Sequence, residues 1–181
     1  MRNRALLVVA VAFLVQACSG IKVSSDYDPS VNFASLRDYG WLPAPPKPSG
    51  DPRIDNPLLI TRIQRAVDRN LTARGYRKVA DNDADFFVTF HLGIDKKIDV
   101  TEIPSTYGYA GRWGGMYSTE TRVDQYEQGT LLIDIVDDGR DDLLWRGSGQ
   151  ARLRDSKSPA EREQRVQKAV DAILEKFPPQ Q

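Results

Sequence analysis

The sequence predicts an α/β two-layer sandwich, a mainly antiparallel sheet of four to six strands with two amphipathic helices packed on one face. Three observations carry that expectation. Two segments repeat apolar residues every three or four positions behind clear helix starts. Several others alternate apolar and polar residues, the period of a half-buried strand. The strands after the first helix are joined by connections of hairpin type, which favours antiparallel neighbours.

In chain order, Ile21 to Tyr27 alternates weakly and reads as a first strand. Phe33 to Leu36 reads as a helical turn and Asp38 to Leu42 as a second strand. The run 43–52 holds five prolines, which remove backbone donors and favour extended, solvated chain, so it is expected to be a loop within the domain. Asn56-Pro57 supplies a cap and a first-turn proline. Ile60, Ile63, Val67 and Leu71 then form one apolar stripe, with Arg62, Arg65, Asp68 and Arg69 facing elsewhere, until Gly75 ends the helix and Tyr76 closes over it. Phe86, Val88, Phe90, Leu92 and Ile94 alternate with Phe87, Thr89, His91 and Gly93 in a strand. Residues 104–118 are glycine-rich and aromatic, a composition that opposes a regular strand. Strand signal returns over Thr121–Glu127 and Thr130–Val136. It returns once more over Leu143–Leu153, where Leu143, Trp145, Gly147 and Gly149 share a face and Leu144 and Arg146 share the other. The paired glycines leave room for a closely packed helix. Ser158-Pro159-Ala160-Glu161 is a capping box, and Val166, Ala169, Val170, Ile173, Leu174 and Phe177 form the second stripe. Trp41 and Trp145 are read as core or core-edge residues.

The first seventeen residues have a signal peptide's order: basic Met-Arg-Asn-Arg, an apolar run from Ala5 to Val15, then small residues before Cys18. The run of 11 residues spans roughly 16 Å as a helix, about half of a ~30 Å hydrocarbon core, which is short for a transmembrane span. Cleavage after Ala17 would expose Cys18, the chain's only cysteine, as an amino-terminal residue able to carry a diacylglyceryl group on its thiol and an acyl chain on its amine. An ordinary secretory signal would use the same Val15 and Ala17 but would leave an unpaired thiol in an oxidising compartment. The division expected is therefore a signal peptide over 1–17, a lipidated tether over 18–28 and one globular domain over 29–181. Removing residues 1–17 takes only Arg2 and Arg4 from 25 basic side chains against 25 acidic ones, leaving a formal balance of −2. That balance gives no basic face for nucleic acid.

Asp38-Tyr39-Gly40-Trp41-Leu42-Pro43, Arg74-Gly75-Tyr76, Asp83-Ala84-Asp85-Phe86-Phe87-Val88, the Gly/Tyr-rich loop, Gly129-Thr130-Leu131-Leu132-Ile133-Asp134 and Leu144-Trp145-Arg146-Gly147 follow the cysteine in that order. Together they resemble the bacterial envelope lipoproteins that carry domain of unknown function 4136. The resemblance covers nearly all of the chain after the signal, and Gln16 departs from the usual small residue before such a cysteine. It implies no catalytic residues. In lipoproteins an Asp after the acylated cysteine marks retention in the inner membrane, so the resemblance makes Ser19 a sorting residue that favours the outer membrane.

No cofactor is expected beyond the covalent lipid on Cys18, and no metal. The sole histidine, His91, lies on the polar side of its strand without a motif to nominate a nucleophile. The acidic turn from Asp134 to Asp142 misfits a calcium loop, with Val136 where a ligand belongs and Trp145 where a bidentate Glu belongs. The best working surface is the aromatic loop: Tyr107, Tyr109, Arg112, Trp113 and Tyr117 have the composition of binding hot spots. The expected partners are the lipid membrane through Cys18 and an envelope protein or cell-wall polymer through that loop. The leading expectation is a non-enzymatic module at the outer membrane. The alternatives are an envelope hydrolase using Asp95, Asp99 or Asp134, and a purely structural lipoprotein.

Overall fold

The structure, a computed structural model, describes residues 20–42, 50–80, 83–106, 117–137, 142–156 and 158–180. Among them run β1 (Lys22–Tyr27), a 3-10 turn (Phe33–Ser35), β2 (Asp38–Trp41), α1 (Pro57–Ala73), β3 (Arg77–Lys78), β4 (Phe86–Thr106), β5 (Tyr117–Asp137), β6 (Leu143–Arg152) and α2 (Pro159–Leu174). The six strands form one sheet in the order β1-β6-β5-β4-β2-β3. With the two helices this is a sandwich-like α/β fold.

The helix ends follow their capping chemistry. The Asn56 side chain accepts from the Leu58 N–H at 2.9 Å and Ser158 from the Glu161 N–H at 3.2 Å, each before a first-turn proline. At the far end of α1, Gly75 takes φ +92°, and the N–H groups of Gly75 and Tyr76 return to the carbonyls of Thr72 and Leu71. That paired closure needs a left-handed residue, which glycine adopts without strain. Arg74 then donates to the carbonyls of Leu174 and Phe177, both at 2.6 Å, so a cation from α1 closes the carboxyl end of α2.

The sheet is mixed rather than mainly antiparallel. The pairs β1/β6, β6/β5 and β5/β4 run antiparallel, but β2 lies parallel to both β4 and β3. A strand followed by a helix returns beside its starting point in the same direction, and α1 is that crossover. The short hairpin connections govern only the second half of the chain.

One core cluster joins Ile63, Val67 and Leu71 of α1, Val170, Ile173 and Leu174 of α2, and Phe86, Phe90, Ile133 and Trp145 of the sheet. Trp145 and Phe177 meet at 5.2 Å between ring centroids, and Trp41 packs against the cluster's edge. A Cβ on Gly149 would stand 2.8 Å from Ile173 Cδ1, and one on Gly147 would clash with Ile173 and the Trp145 ring. The two glycines therefore admit α2, as their spacing predicts.

Three local expectations change. A register shift between Ile135 and Val136 pairs Trp145 with Ile135 and Leu143 with Val136, so Leu144 is the extra residue. Leu144 joins Trp145 in the core, while Leu143 is exposed. Asp68 does not face away from the sheet: it accepts from the Tyr39 hydroxyl and the Trp41 indole, each at 3.0 Å, and pairs with Lys78 at 3.0 Å. Burial, and then the Asp68 charge, push the Tyr39 phenol well above its ordinary range. Finally, the strand expected to end at Ile94 continues to Thr106, and the two expected after residue 121 are one. Gly129 does not break it, because the missing Cβ leaves space filled by Leu153, whose Cδ2 would lie 2.7 Å away. Most of the proline-rich loop, 43–49, lies outside the described residues.

Candidate functional site

β4 and β5 are 21 residues each and pair without interruption from Phe86↔Asp137 to Thr106↔Tyr117. The third strand stops early, with β6 reaching only Arg152 opposite Gln128. Eleven further pairs, from Lys96↔Glu127 onward, therefore form a two-stranded ribbon beyond the sheet. Side chains on alternate residues share a face, so Ile98, Val100 and Val123 line the same side as Phe90 and Ile133. Beyond the helices nothing described covers them: Ile98 is 63% exposed, and Val100 and Val123 are also exposed. On the other side Asp99 stands directly opposite Asp124, a repulsive pairing offset by Arg122, whose Nε lies 3.0 Å from Asp124.

The ribbon's base is fastened by charge. Arg53 reaches Glu127 at 2.7 Å and Asp51 at 2.7 Å, and Arg152 lies 4.5 Å from the centroid of the Tyr126 ring. Those contacts hold the Arg53 guanidinium above its ordinary range and the Glu127 carboxyl below its own. Of the residues singled out by sequence, Cys18, Ser19, Tyr107, Tyr109, Arg112 and Trp113 lie outside the described residues, and Tyr117 opens β5. Sequence reasoning missed Ile98, Val100 and Val123. The signal was present: the even-numbered alternation of β4 continues through Lys96 to Ile98 and Val100.

The opposite face of the sheet carries a polar group. Asp134, opposite Thr89 on one side and Arg146 on the other, is 2% exposed. Arg146 donates to both of its oxygens, Nε at 2.7 Å and Nη2 at 2.6 Å, and His91 Nε2 lies 3.5 Å from Oδ2. This fork raises the Arg146 guanidinium above its ordinary value. Among the described residues no hydroxyl hydrogen-bonds His91. Asp95 and Asp99 share this face of β4 but stand six and ten residues beyond Thr89, roughly 20 and 33 Å along the strand. The three carboxylates are thus not brought together; paired catalytic carboxyls stand within about 10 Å. Asp134 turns to Arg146, while residues 138–141 of the acidic turn lie outside the described residues.

The family described as Domain of unknown function (DUF4136) matches residues 23–179. No curated protein sequence matches. Among solved structures, a PDZ domain protein from Parabacteroides distasonis is 12% identical with a TM-score of 0.57, covering 99% of this chain and 41% of that one. The chain thus spans about two-fifths of that protein's length. A DUF4136 family protein from Bacteroides thetaiotaomicron is 16% identical with a TM-score of 0.49, covering 89% and 97%. The PelC dodecamer from Paraburkholderia phytofirmans is 11% identical with a TM-score of 0.48, covering 89% and 99%. At 12% identity and a TM-score of 0.57, the likeness to the Parabacteroides distasonis protein is one of fold alone.

Proposed function

The chain belongs to the DUF4136 family, and from that premise we propose that it is a non-enzymatic envelope module, anchored through acylated Cys18 at the periplasmic face of the outer membrane, whose ribbon engages an envelope protein at the membrane surface. In this reading both helices cover the Phe90 face of the sheet and the ribbon is the working arm. One observation supports it above the rest: the tether and the ribbon leave the sheet at the same end. Lys22 at the start of β1 pairs with Gln150, two residues before β6 stops, and the ribbon begins where β6 stops. Cys18 precedes Lys22 by four residues, a reach of at most about 14 Å. Eleven ribbon pairs extend roughly 36 Å from that end.

A domain held on so short a leash keeps its ribbon at or along the bilayer. A partner resident in the membrane fits this geometry better than a cell-wall polymer further away. Ile98, Val100 and Val123 supply the apolar contact. An isolated two-stranded ribbon is marginal in water, which gives a partner something to stabilise.

The test places a photocrosslinking residue at position 98 or 123 in growing cells, beside fatty-acid labelling of the native chain and of Cys18→Ala. The expected outcome is label that depends on Cys18 and one recurrent protein adduct in the membrane fraction. Adducts to lipid alone would replace the protein partner with the bilayer itself. Absence of label would remove the anchor.

A further inference from the structure

The helix side of the sheet carries an open pocket of about 700 Å³ near the base of the ribbon. It lies within the range of roughly 300–1,000 Å³ that holds small ligands. Its walls are apolar and come from every layer: Leu59 and Ile63 of α1, Leu92 and Leu131 of the sheet, and Val166 and Ala169 of α2. Gly129 and Gly149 also line it, their side-chain positions taken by Leu153 and Ile173.

The rim is cationic. Five arginines line the cavity against two acids, Glu127 and Asp155. Arg53 is engaged with Asp51 and Glu127, and Arg165 with Glu161 and two backbone carbonyls. The other three have no carboxylate partner among the described residues. Arg152 lies over the Tyr126 ring, Arg162 donates to the Ser156 carbonyl at 3.3 Å, and Arg154 offers its guanidinium to no described group. An apolar chamber with unneutralised guanidiniums at its mouth is complementary to a molecule with an apolar chain and an anionic head.

We propose that this cavity binds a single-chain anionic amphiphile, its acyl chain between the helices and the sheet and its carboxylate or phosphate against Arg154 and Arg162. The inference goes beyond the tethered-module reading and stands without it. The pocket nonetheless lies close to the segment leading into β1, since Ile21 Cγ2 would lie 3.6 Å from a Cβ on Gly149.

Calorimetric titration of the full chain carrying Cys18→Ser tests this with probes kept below micelle formation. Dodecanoate and dodecyl phosphate should both bind, and dodecyltrimethylammonium at least tenfold more weakly. Affinity should rise about fourfold per methylene from octanoate to decanoate. A preference for the carboxylate head would identify free fatty acid as the source, and one for phosphate a lipid head group; either supports the site. The double change Arg154→Gln and Arg162→Gln should lower anion affinity tenfold or more at unchanged melting temperature. Ala169→Leu, which fills the α2 wall, should weaken dodecanoate similarly. Equal affinity for cation and anions, insensitivity to chain length, or undiminished binding by the arginine variant would overturn the proposal.

Discussion

Removing Arg146 leaves the Asp134 carboxylate inside the protein, with His91 Nε2 3.5 Å away. Stranding one member of a fully buried pair costs about 3–5 kcal/mol; the Arg146 side chain is 44% exposed, which lowers the expected loss for Arg146→Ala to about 2 kcal/mol. The paired change Asp134→Leu with Arg146→Met, which strands no charge, should cost less than Arg146→Ala alone in urea unfolding. Asp85 acts through protons instead. It accepts from the backbone N–H groups of Arg37 at 2.8 Å and Asp38 at 2.9 Å, and those bonds hold its carboxyl below the usual range. Because the folded value is depressed, its contribution is complete above the unfolded value of about 3.9 and disappears as pH falls through the folded one. Asp85→Asn should therefore lower the urea midpoint at pH 7, and the gap from the native chain should narrow by pH 3. A gap of constant width would assign the role of Asp85 to packing. Sequence reading named both Asp134 and His91 but could not join them, because their meeting depends on the register of β4 against β5.

At the level of elements, what could be read was whatever a local rule controls. Asn56-Pro57, Ser158-Pro159 and Gly75 mark ends that caps and backbone conformation decide within a few residues, and α1 and α2 run where those signals place them. The outer halves of β4 and β5 have no third strand or helix beside them among the described residues, so only the alternation that continues to Ile98 and Val100 marked them in the sequence. The parallel placement of β2 was equally hidden, because three residue pairs with β4 leave little trace in sequence. The small residues of β6 were the exception, legible because a close helix forbids side chains there. Gly147→Ala should cost about 1–3 kcal/mol through its conflict with Ile173 and the Trp145 ring. Shortening the opposing side chain with Ile173→Val should recover part of that loss, giving a measurable coupling between the two positions. Strict additivity would mean that α2 shifts as a body instead.

On the scale of the whole molecule, the core and the ribbon are separable. Among the described side chains, every buried apolar one of β4 lies at or before Phe90 and every one of β5 at or after Leu131, so the described part of the ribbon contributes none to the core. The links at its base, Arg53 to Glu127 and Arg152 over Tyr126, are exposed contacts of small energetic weight. Excising residues 97–126 and joining Lys96 to Glu127 through Asn-Gly retains the cross-strand pair that suits a two-residue turn. The shortened chain should unfold cooperatively with a stability within about 1 kcal/mol of the native chain, since surface changes away from packed residues are nearly neutral. It should also retain dodecanoate binding, because Leu92, Leu131 and the helix walls remain. In cells it should lose the membrane-fraction adduct captured from position 98 or 123 in the native chain, monitored with a crosslinker moved to the retained position 96. A shortened chain that unfolds would make the ribbon part of the folding unit; one that folds and keeps the adduct would move the partner's contact onto the sheet.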